Sequence, residues 1–385
     1  MQRGSSPRPI IEYVTTSDDG VNWIKIGDMP HFGRIVTSTE EKITKEGAKK
    51  SRQVNKGDLI LSNSMSYGLP YIMGIDGYIH DGWFVLKNFE NTFDKDYLCN
   101  LLISSAIQNQ YKRLAAGGVV QNISSDLVNS VSVSIPTMME QKKISSLLNL
   151  IDERIATQNK IIEDLKKLKS AICEKLFCTP KDKQPKVRLH GFSDAWHFVR
   201  LSDICHRIRC KNTGEQCKQV LTIAAQYGLV SQEDFFNKNV ASENLSGYYL
   251  LQKGDFAYNK SYSGDYAWGT VKRLDNYKQG VLSPLYICFR LDSARVDSDF
   301  LVYYFESKKW YKAVADIAGE GARNHGLLNI SVIDYFNTIH CIPSIEEQKQ
   351  IAWIMRTLSS KITQEQRMLN CCIAQRKYLL RQMFI

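Results

Sequence analysis

The chain contains one sequence pattern twice, and this repetition constrains its fold more than any other feature. The segment IPTMMEQKKI at 135–144 recurs as IPSIEEQKQI at 342–351, an offset of 207 residues. Further upstream the offset is 197, where KGDL at 56–59 matches KGDF at 253–256. Each half is therefore a segment of variable length followed by one constant module, which predicts a pseudo-twofold internal repeat.

The constant module has the pattern of a long helix. Thr137 with Glu140, and Ser344 with Glu347, follow a proline and have the spacing of capping boxes. The apolar positions that follow alternate by four and three residues, which is typical of a heptad seam. We therefore predict two helices of about 40 residues, each roughly 60 Å long. The predicted seam residues are Ile144, Leu148, Ile151, Ile155, Ile162, Leu165, Ile172 and Leu176 in the first copy and Ile351, Met355, Leu358, Ile362, Leu369, Cys372, Leu379 and Met383 in the second.

Two seam positions are polar in both copies. One holds Gln158 and Glu365, the other Lys169 and Arg376. Gln158 and Glu365 lie near the middle of their helices, so they meet if the helices pack antiparallel. A polar pair there would set the register at some cost in stability. The alternative is that both side chains point out of a loose seam.

The remainder of each half predicts mixed α and β structure. Helical patterns cover residues 97–114 and 299–318, and a lysine-rich linker covers 180–185. Together with the long helices, these patterns predict the α+β class. Strands are predicted at 21–26, 81–86, 220–223 and 282–289, and a turn entering a strand at 56–61.

Composition restricts the function classes. Fifty Lys and Arg against forty Asp and Glu leave a net charge of +10, which favours a polyanionic partner such as nucleic acid. No stretch of 18 apolar residues or N-terminal signal pattern occurs, so we expect a cytoplasmic protein without a membrane partner. The cysteine spacing, including that of Cys205, Cys210 and Cys217, fits no zinc pattern, so no metal site is predicted.

Motifs for catalysis and cofactor binding are missing from the sequence. It has no Pro-Pro, which amino-methyltransferase motifs use, no phosphate-binding Gly-x4-Gly-Lys-Ser/Thr loop and no Gly-x-Ser-x-Gly elbow. The catalytic alternative is a metal-dependent nuclease that uses Asp28, Glu40 and Lys42. Because Glu-x-Lys occurs four times in this chain, the pattern carries little weight. We predict a non-catalytic binding protein that holds no cofactor.

Three pairs of loops at matched positions carry the side chains that can read DNA. They are 31–34 with 226–229, 62–68 with 259–266, and 116–122 with 319–325. Asn and Lys can bind base edges, Tyr can stack, and Gly lets the backbone approach a phosphate. The alternative is that these segments are plain turns. The predicted DNA-binding residues are Arg34, Ser62, Asn63, Ser64, Tyr67, Gly117, Gly118, Asn259, Lys260, Ser261, Tyr262, Arg323, Asn324 and His325.

Nearly the whole chain resembles the specificity subunit of a type I DNA restriction-modification system. The resemblance rests on WIKIGD at 23–28, IHDGW at 79–83, LTI at 221–223, YNKSY at 258–262 and GVLSPLY at 280–286. The two Ile-Pro-x-x-x-Glu-Gln-Lys helix starts add to it. Each motif is loose by itself, but the doubled order of variable domain and long helix is specific.

This resemblance implies two mixed α/β target recognition domains, each reading one half of a bipartite DNA sequence, separated by two long antiparallel coiled-coil helices. It implies docking of two methyltransferase subunits and of restriction/translocase subunits, with S-adenosylmethionine, ATP and Mg on those partners. A coiled-coil scaffold without sequence readout is the remaining alternative. The implied parts are recognition domain 1 at 1–136, spacer helix 1 at 137–179, linker and recognition domain 2 at 180–343, and spacer helix 2 at 344–385.

The two halves differ at their starts. The second recognition domain opens with WHFVRLSDI at 196–204. Members of the family usually carry such a segment before the first domain as well. Here RGSSPRP at 3–9 stands in its place. We therefore expect the first recognition domain to be short at its N-terminus.

Overall fold

The computed structural model describes residues 1–30, 33–63, 68–115, 123–237, 244–261, 264, 266–292, 294–319 and 328–384. The chain forms two compact units. Unit 1 comprises Met1–Ile162 and Glu365–Ile385, and unit 2 comprises Glu163–Gln364. Each unit combines one mixed α/β module with one end of each long helix. The boundaries predicted from the sequence at 136, 179 and 343 remain predictions.

Helices and strands alternate irregularly in both modules, in agreement with the predicted α+β class. The helices are α1 Lys45–Lys49, α2 Lys95–Ile103, α3 Ser105–Ala115, α4 Ser125–Asn129, α5 Met138–Leu176, α6 Leu201–Ile204, α7 Gln232–Phe236, α8 Ser298–Glu306, α9 Tyr311–Ala315, α10 Val332–Phe336 and α11 Ile345–Met383. The strands are β1 Gln2–Arg3, β2 Val14–Thr15, β3 Val21–Ile24, β4 Ile35–Val36, β5 Glu41–Ile43, β6 Arg52–Val54, β7 Leu59–Ser62, β8 Pro70–Met73, β9 Gly77–Ile79, β10 Trp83–Leu86, β11 His197–Arg200, β12 Cys205–Arg207, β13 Leu221–Ala224, β14 Gly228–Ser231, β15 Tyr249–Gln252, β16 Phe256–Asn259, β17 Thr270–Arg273, β18 Gln279–Leu282, β19 Ile287–Leu291 and β20 Ile339–Ile342.

The strands of unit 1 form larger sheets than those of unit 2 in the described part of the chain. Unit 1 has two five-stranded sheets, in the orders β1-β10-β7-β8-β4 and β2-β5-β3-β9-β6. Unit 2 has a four-stranded sheet, β12-β19-β16-β17, and three two-stranded pairs. The matched hairpins β7–β8 and β16–β17 share their register, since Leu59 pairs with Ile72 and Phe256 pairs with Arg273.

The two long helices confirm the strongest prediction from the sequence. Both α5 and α11 contain 39 residues. Within unit 1, Asp152 contacts Arg376 and Gln158 contacts Glu365. Later residues of α5 thus meet earlier residues of α11, so the two helices run antiparallel in this unit. Leu148 is fully buried in the seam, as the heptad pattern predicts.

Each long helix ends on an aromatic side chain that enters a core. Phe384, which follows α11, lies 5.1 Å from Tyr97 between ring centroids in unit 1. Phe177, which follows α5, lies 5.4 Å from Phe300 in unit 2. Tyr97 and Phe300 occupy the same place in α2 and α8. The ends of α11 and α5 are therefore packed against α2 and α8, respectively, by apolar burial.

A buried glutamine at the start of each long helix forms the matching polar contact. The Gln141 side-chain carbonyl accepts a hydrogen bond from the backbone N–H of Asp94 at 2.9 Å. Gln348 does the same with Asp297 at 2.8 Å. Each glutamine amide also donates to the carbonyl of the proline before the helix. Since Asp94 and Asp297 cap α2 and α8, each glutamine joins a long helix to one of these two helices.

At both helix starts, the hydroxyl group makes its half of the predicted capping box. Thr137 accepts from the Glu140 backbone N–H, and Ser344 from that of Glu347, both at 3.4 Å. The Glu347 carboxylate is buried and forms a bidentate ion pair with Arg188 at 2.7–2.8 Å. This carboxylate therefore joins the segment after the linker to α11 and does not close the box.

Three predictions for local elements were wrong. The helix predicted at 97–114 is α2 and α3, because Ser104 is extended (ψ 153°) and its hydroxyl accepts from the Ile107 N–H. The helix predicted at 299–318 is α8 and α9, separated by a turn in which Lys308 is left-handed (φ 60°). The strand predicted at 282–289 is interrupted between β18 and β19, a segment that contains Pro284, which has no N–H for a ladder.

We expect Gln348→Ala to lower the free energy of unfolding by about 2 kcal/mol, because it removes two buried hydrogen bonds and leaves their partners unpaired. Gln350→Ala, an exposed position on the same helix, is the matched control and should change it by less than about 0.5 kcal/mol. Urea denaturation followed by circular dichroism measures both. Equal stability of the two variants would contradict this role for Gln348.

Candidate nucleic-acid interface

Asn63 holds the base of two predicted loops together in unit 1. Its side-chain amide donates to the Asp81 carbonyl at 2.8 Å, and its backbone N–H donates to the Gly82 carbonyl at 2.9 Å. Its own carbonyl accepts from the Ile123 N–H at 2.9 Å. The segment before 64–67 is thus bonded to the segment after 116–122. Asn63 is itself buried, as is Ser62, whose hydroxyl accepts from the Leu69 N–H.

Unit 2 brings together the matching segments. The Lys260 carbonyl accepts from the Leu328 N–H at 2.9 Å. The Asn259 side-chain carbonyl accepts from the Ser261 N–H at 2.9 Å, which shapes the turn after β16. The predicted DNA-binding residues Asn259, Lys260 and Ser261 are all half-buried. In each unit, therefore, the turn after the Lys-Gly-Asp strand is hydrogen-bonded to the segment that follows the glycine-rich loop.

Eight of the fourteen predicted DNA-binding residues lie outside the described residues. The structure therefore describes the ends of the predicted loops, and the DNA contacts themselves stay predictions. The residues outside the described ranges are Ser64, Tyr67, Gly117, Gly118, Tyr262, Arg323, Asn324 and His325.

Next to Asn63, a turn before β10 is fixed by several polar contacts. Gly82 N–H donates to His80 Nδ1 at 2.8 Å, and burial lowers the pKa of His80, although the Asp81 carboxylate raises it. The Asp81 pKa is raised by burial, but the Ser6 hydrogen bond and its own backbone amide outweigh this and lower it. At pH 7 the turn therefore holds a neutral imidazole beside a carboxylate. These groups position the loop base.

Arg34 lies in a different environment from the solvent-facing one expected of a surface arginine. Its guanidinium pairs with Asp152 of α5 at 3.2 Å and donates to the Asn100 side chain at 3.0 Å. Arg376 of α11 donates to the same Asp152 carboxylate at 3.0 Å and to Asn100 at 3.3 Å. One carboxylate thus joins the module to both long helices. These contacts assign Arg34 a structural role, and its predicted DNA contact stays a prediction.

Gln158 and Glu365 are in direct contact within unit 1. Gln158 is buried, and its side-chain amide donates to both the carboxylate and the backbone carbonyl of Glu365, the latter at 3.3 Å. The pair lies near the middle of each 39-residue helix. Its predicted role in setting the helix register is open to a direct test below.

The geometry around Asp28 does not favour the nuclease alternative. Its two carboxylate oxygens accept hydrogen bonds from the backbone N–H groups of Lys25 at 2.7 Å and Glu40 at 2.9 Å. They therefore stabilise a short 3₁₀ turn and the approach to β5. Among the described residues, no group of three His, Cys, Asp or Glu side chains could hold a metal ion. No described helix is long and apolar enough to cross a membrane.

Comparisons with known proteins show similarity to one family. The model of the type I restriction modification DNA specificity domain matches residues 8–167. The MjaVIII specificity subunit of Methanocaldococcus jannaschii is 23% identical over 335 residues, covering 80% of this chain and 74% of that protein. The HindI specificity subunit of Haemophilus influenzae is 27% identical over 136 residues, covering 34% of this chain and 29% of that protein.

Solved structures share the fold at low sequence identity. A chain from a structure of type I restriction-modification complex assembly has a TM-score of 0.57 and 15% identity, with 99% of this chain and 93% of that chain covered. The specificity subunit from M. genitalium has a TM-score of 0.53 and 14% identity, covering 99% and 96%. Both likenesses concern the fold alone.

Replacing the central polar pair of the long helices tests its role. Gln158→Leu should lower the free energy of unfolding by about 1 kcal/mol, because the Glu365 carboxylate loses a buried donor. Gln158→Leu with Glu365→Leu should be at least as stable as the unmodified chain, since an apolar pair avoids that desolvation. Thermal and urea unfolding of the single and double variants measure the coupling. If the double variant loses as much free energy of unfolding as the two single variants together, the two side chains are not coupled. That result would argue against a pair that sets the register.

Proposed function

Because the chain belongs to the family of type I restriction-modification specificity subunits, we propose that it reads a bipartite, gapped DNA sequence and itself catalyses no step. The observation that carries this proposal is the doubled loop base. Asn63 with Ile123, and Lys260 with Leu328, form similar backbone contacts in the two units, with the donor two positions earlier in the second repeat. Two equivalent loop clusters in one chain fit two half-sites, which a single recognition module would not.

The charge and the predicted loop chemistry support DNA as the ligand. A net charge of +10 favours association with the phosphate backbone. The loop ends bear Asn259, Lys260 and Ser261, whose side chains can contact base edges or phosphates. Phosphate contacts position a protein on the duplex, while base contacts specify the sequence. We assign both tasks to the loop clusters of the two units.

The long helices support a fixed spacing between half-sites. Each contains 39 residues, so each is roughly 60 Å long at 1.5 Å per residue. In dimeric DNA-binding proteins, the separation of the reading elements sets the spacing of half-sites. By the same geometry, α5 and α11 set the length of the gap in this target.

The proposal includes a division of labour with partner subunits. Two methyltransferase subunits dock on this chain and use S-adenosylmethionine, and restriction/translocase subunits use ATP and Mg. This chain contributes sequence recognition and holds no cofactor of its own. Its place of action is the cytoplasm, where these partners meet DNA.

Methylome sequencing of cells that express this chain with its methyltransferase partner should reveal a bipartite, gapped motif. Exchange of residues 185–340 for the same segment of another specificity subunit should change one half of the motif and leave the other half unchanged. An unmodified chain that directs methylation to a continuous motif would contradict the proposal. Equal affinity for all duplexes at matched salt would favour a scaffold without readout.

Lys260→Ala should alter recognition of the second half-site. If the amine contacts a phosphate, the slope of log K against log salt should decrease by about 0.9, equally for all sequences. If it contacts guanine, base preference at one position should relax at a cost of about 1–3 kcal/mol. Fluorescence anisotropy with target and scrambled duplexes separates the two results. Asn259→Ala is the companion variant, and unchanged binding by both would show that the segment is only a turn.

A further inference from the structure

We propose that a lysine-lined cavity in unit 2 binds a phosphate group of the DNA backbone, and that the corresponding cavity in unit 1 does not. The inference rests on the proposed DNA-reading function and adds a site to it. The cavity measures about 590 Å³ and lies between β17, the end of α8 and α5. Three lysines line it: Lys166, Lys272 and Lys308.

The positive charges of the lysines in this cavity exceed the negative charge of its described lining. The acidic residue among its described lining is Glu306, whose carboxylate already pairs with Lys169 at 2.9 Å. Neither Lys166 nor Lys272 forms an ion pair with any residue that the structure describes. Two ammonium groups are thus available to an anion, and a phosphate is the polyanionic group that a lysine pair binds well.

Burial makes Lys272 sensitive to such an anion. Burial lowers the pKa of Lys272, although the nearby Glu306 carboxylate partly offsets this. A phosphate beside the amine would stabilise its charged form. The rest of the wall adds little negative charge, since burial and the neighbouring Tyr266 raise the pKa of Tyr311 to about 12 and keep it neutral at pH 7.

The cavity adjoins the second predicted recognition loop. Gly269 lines it and has a φ of +79°, and a Cβ there would lie 2.1 Å from the Asn259 carbonyl oxygen. Only glycine fits this close approach, which brings the cavity wall against the turn at Asn259–Ser261. Tyr227, which is 69% exposed, stands at the rim. A duplex whose bases face that turn therefore has its backbone within reach of the lysines.

The matching cavity in unit 1 has different chemistry at equivalent positions. It measures about 360 Å³ and is lined by β8, α2 and the long helices. The shared hairpin register places Tyr71 where unit 2 has Lys272. Arg34 and Arg376 also line it, but both already pair with Asp152. Its cations are therefore occupied by an internal carboxylate.

The test measures duplex binding by the full chain in complex with its methyltransferase subunits. Lys272→Met and Lys166→Gln should each reduce the slope of log K against log salt by about 0.9, with equal losses on target and scrambled duplexes. Lys160→Gln, an exposed position on α5 away from the cavity, is the matched control and should leave the slope unchanged. Lys166 is itself exposed, so its variant keeps the test valid if Lys272→Met folds poorly.

Two further outcomes decide between explanations. If the unmodified complex selects a gapped motif but both lysine variants keep its salt slope, this inference fails and the proposed function stands. If the unmodified complex selects no motif, the proposed function itself fails. Titration with inorganic phosphate at constant ionic strength separates the sources: saturable binding of free phosphate, lost in Lys272→Met while the DNA slope is unchanged, would overturn a DNA-backbone site.

Discussion

The amide side chains of Gln141 and Gln348 are the contacts on which the placement of both modules depends. Each is buried at the start of a 39-residue helix and accepts a hydrogen bond from the backbone N–H of the residue that caps α2 or α8. A long helix has a rotation and a tilt that apolar packing leaves loosely defined. Hydrogen bonds have narrow geometry and are costly to break when buried, so they define both. This explains why the repeated motif retains a glutamine at this position in both copies.

The same backbone arrangement supports two different sets of side chains. Arg376 of α11 meets Asn100 and Asp152, whereas its repeat counterpart, Lys169, meets Tyr303 and Glu306. The arginines that line the unit 1 cavity are therefore paired with an internal carboxylate, whereas Lys166 and Lys272 in the unit 2 cavity pair with no described residue. The fold is repeated because backbone hydrogen bonds and the apolar seam maintain it. Side chains that project from that frame can diverge, which the proposed reading of two different half-sites would require.

Much of the fold could be predicted because its signals are local or periodic. The heptad pattern and its polar positions predicted both long helices and the meeting of Gln158 with Glu365. The helix breaks at Ser104 and Lys308 were missed, because a side-chain cap and a left-handed turn interrupt a pattern that otherwise remains helical. Of the candidate site, sequence matching found the turns at Asn63 and Lys260. It missed Asp152, whose partners lie more than a hundred positions away in the chain.

The amino-acid sequence by itself determined the doubled plan, the α+β class and the length of the helices, since these follow from spacing along one chain. Only the tertiary structure decided which charges remain available. From its sequence context Arg34 would be expected at the surface, yet it pairs with Asp152. Lys272 lies in a cavity whose described carboxylate, Glu306, pairs with Lys169. The energy of a charge depends on every group within a few ångströms and on its burial. Those neighbours come from distant segments, so no local pattern contains them.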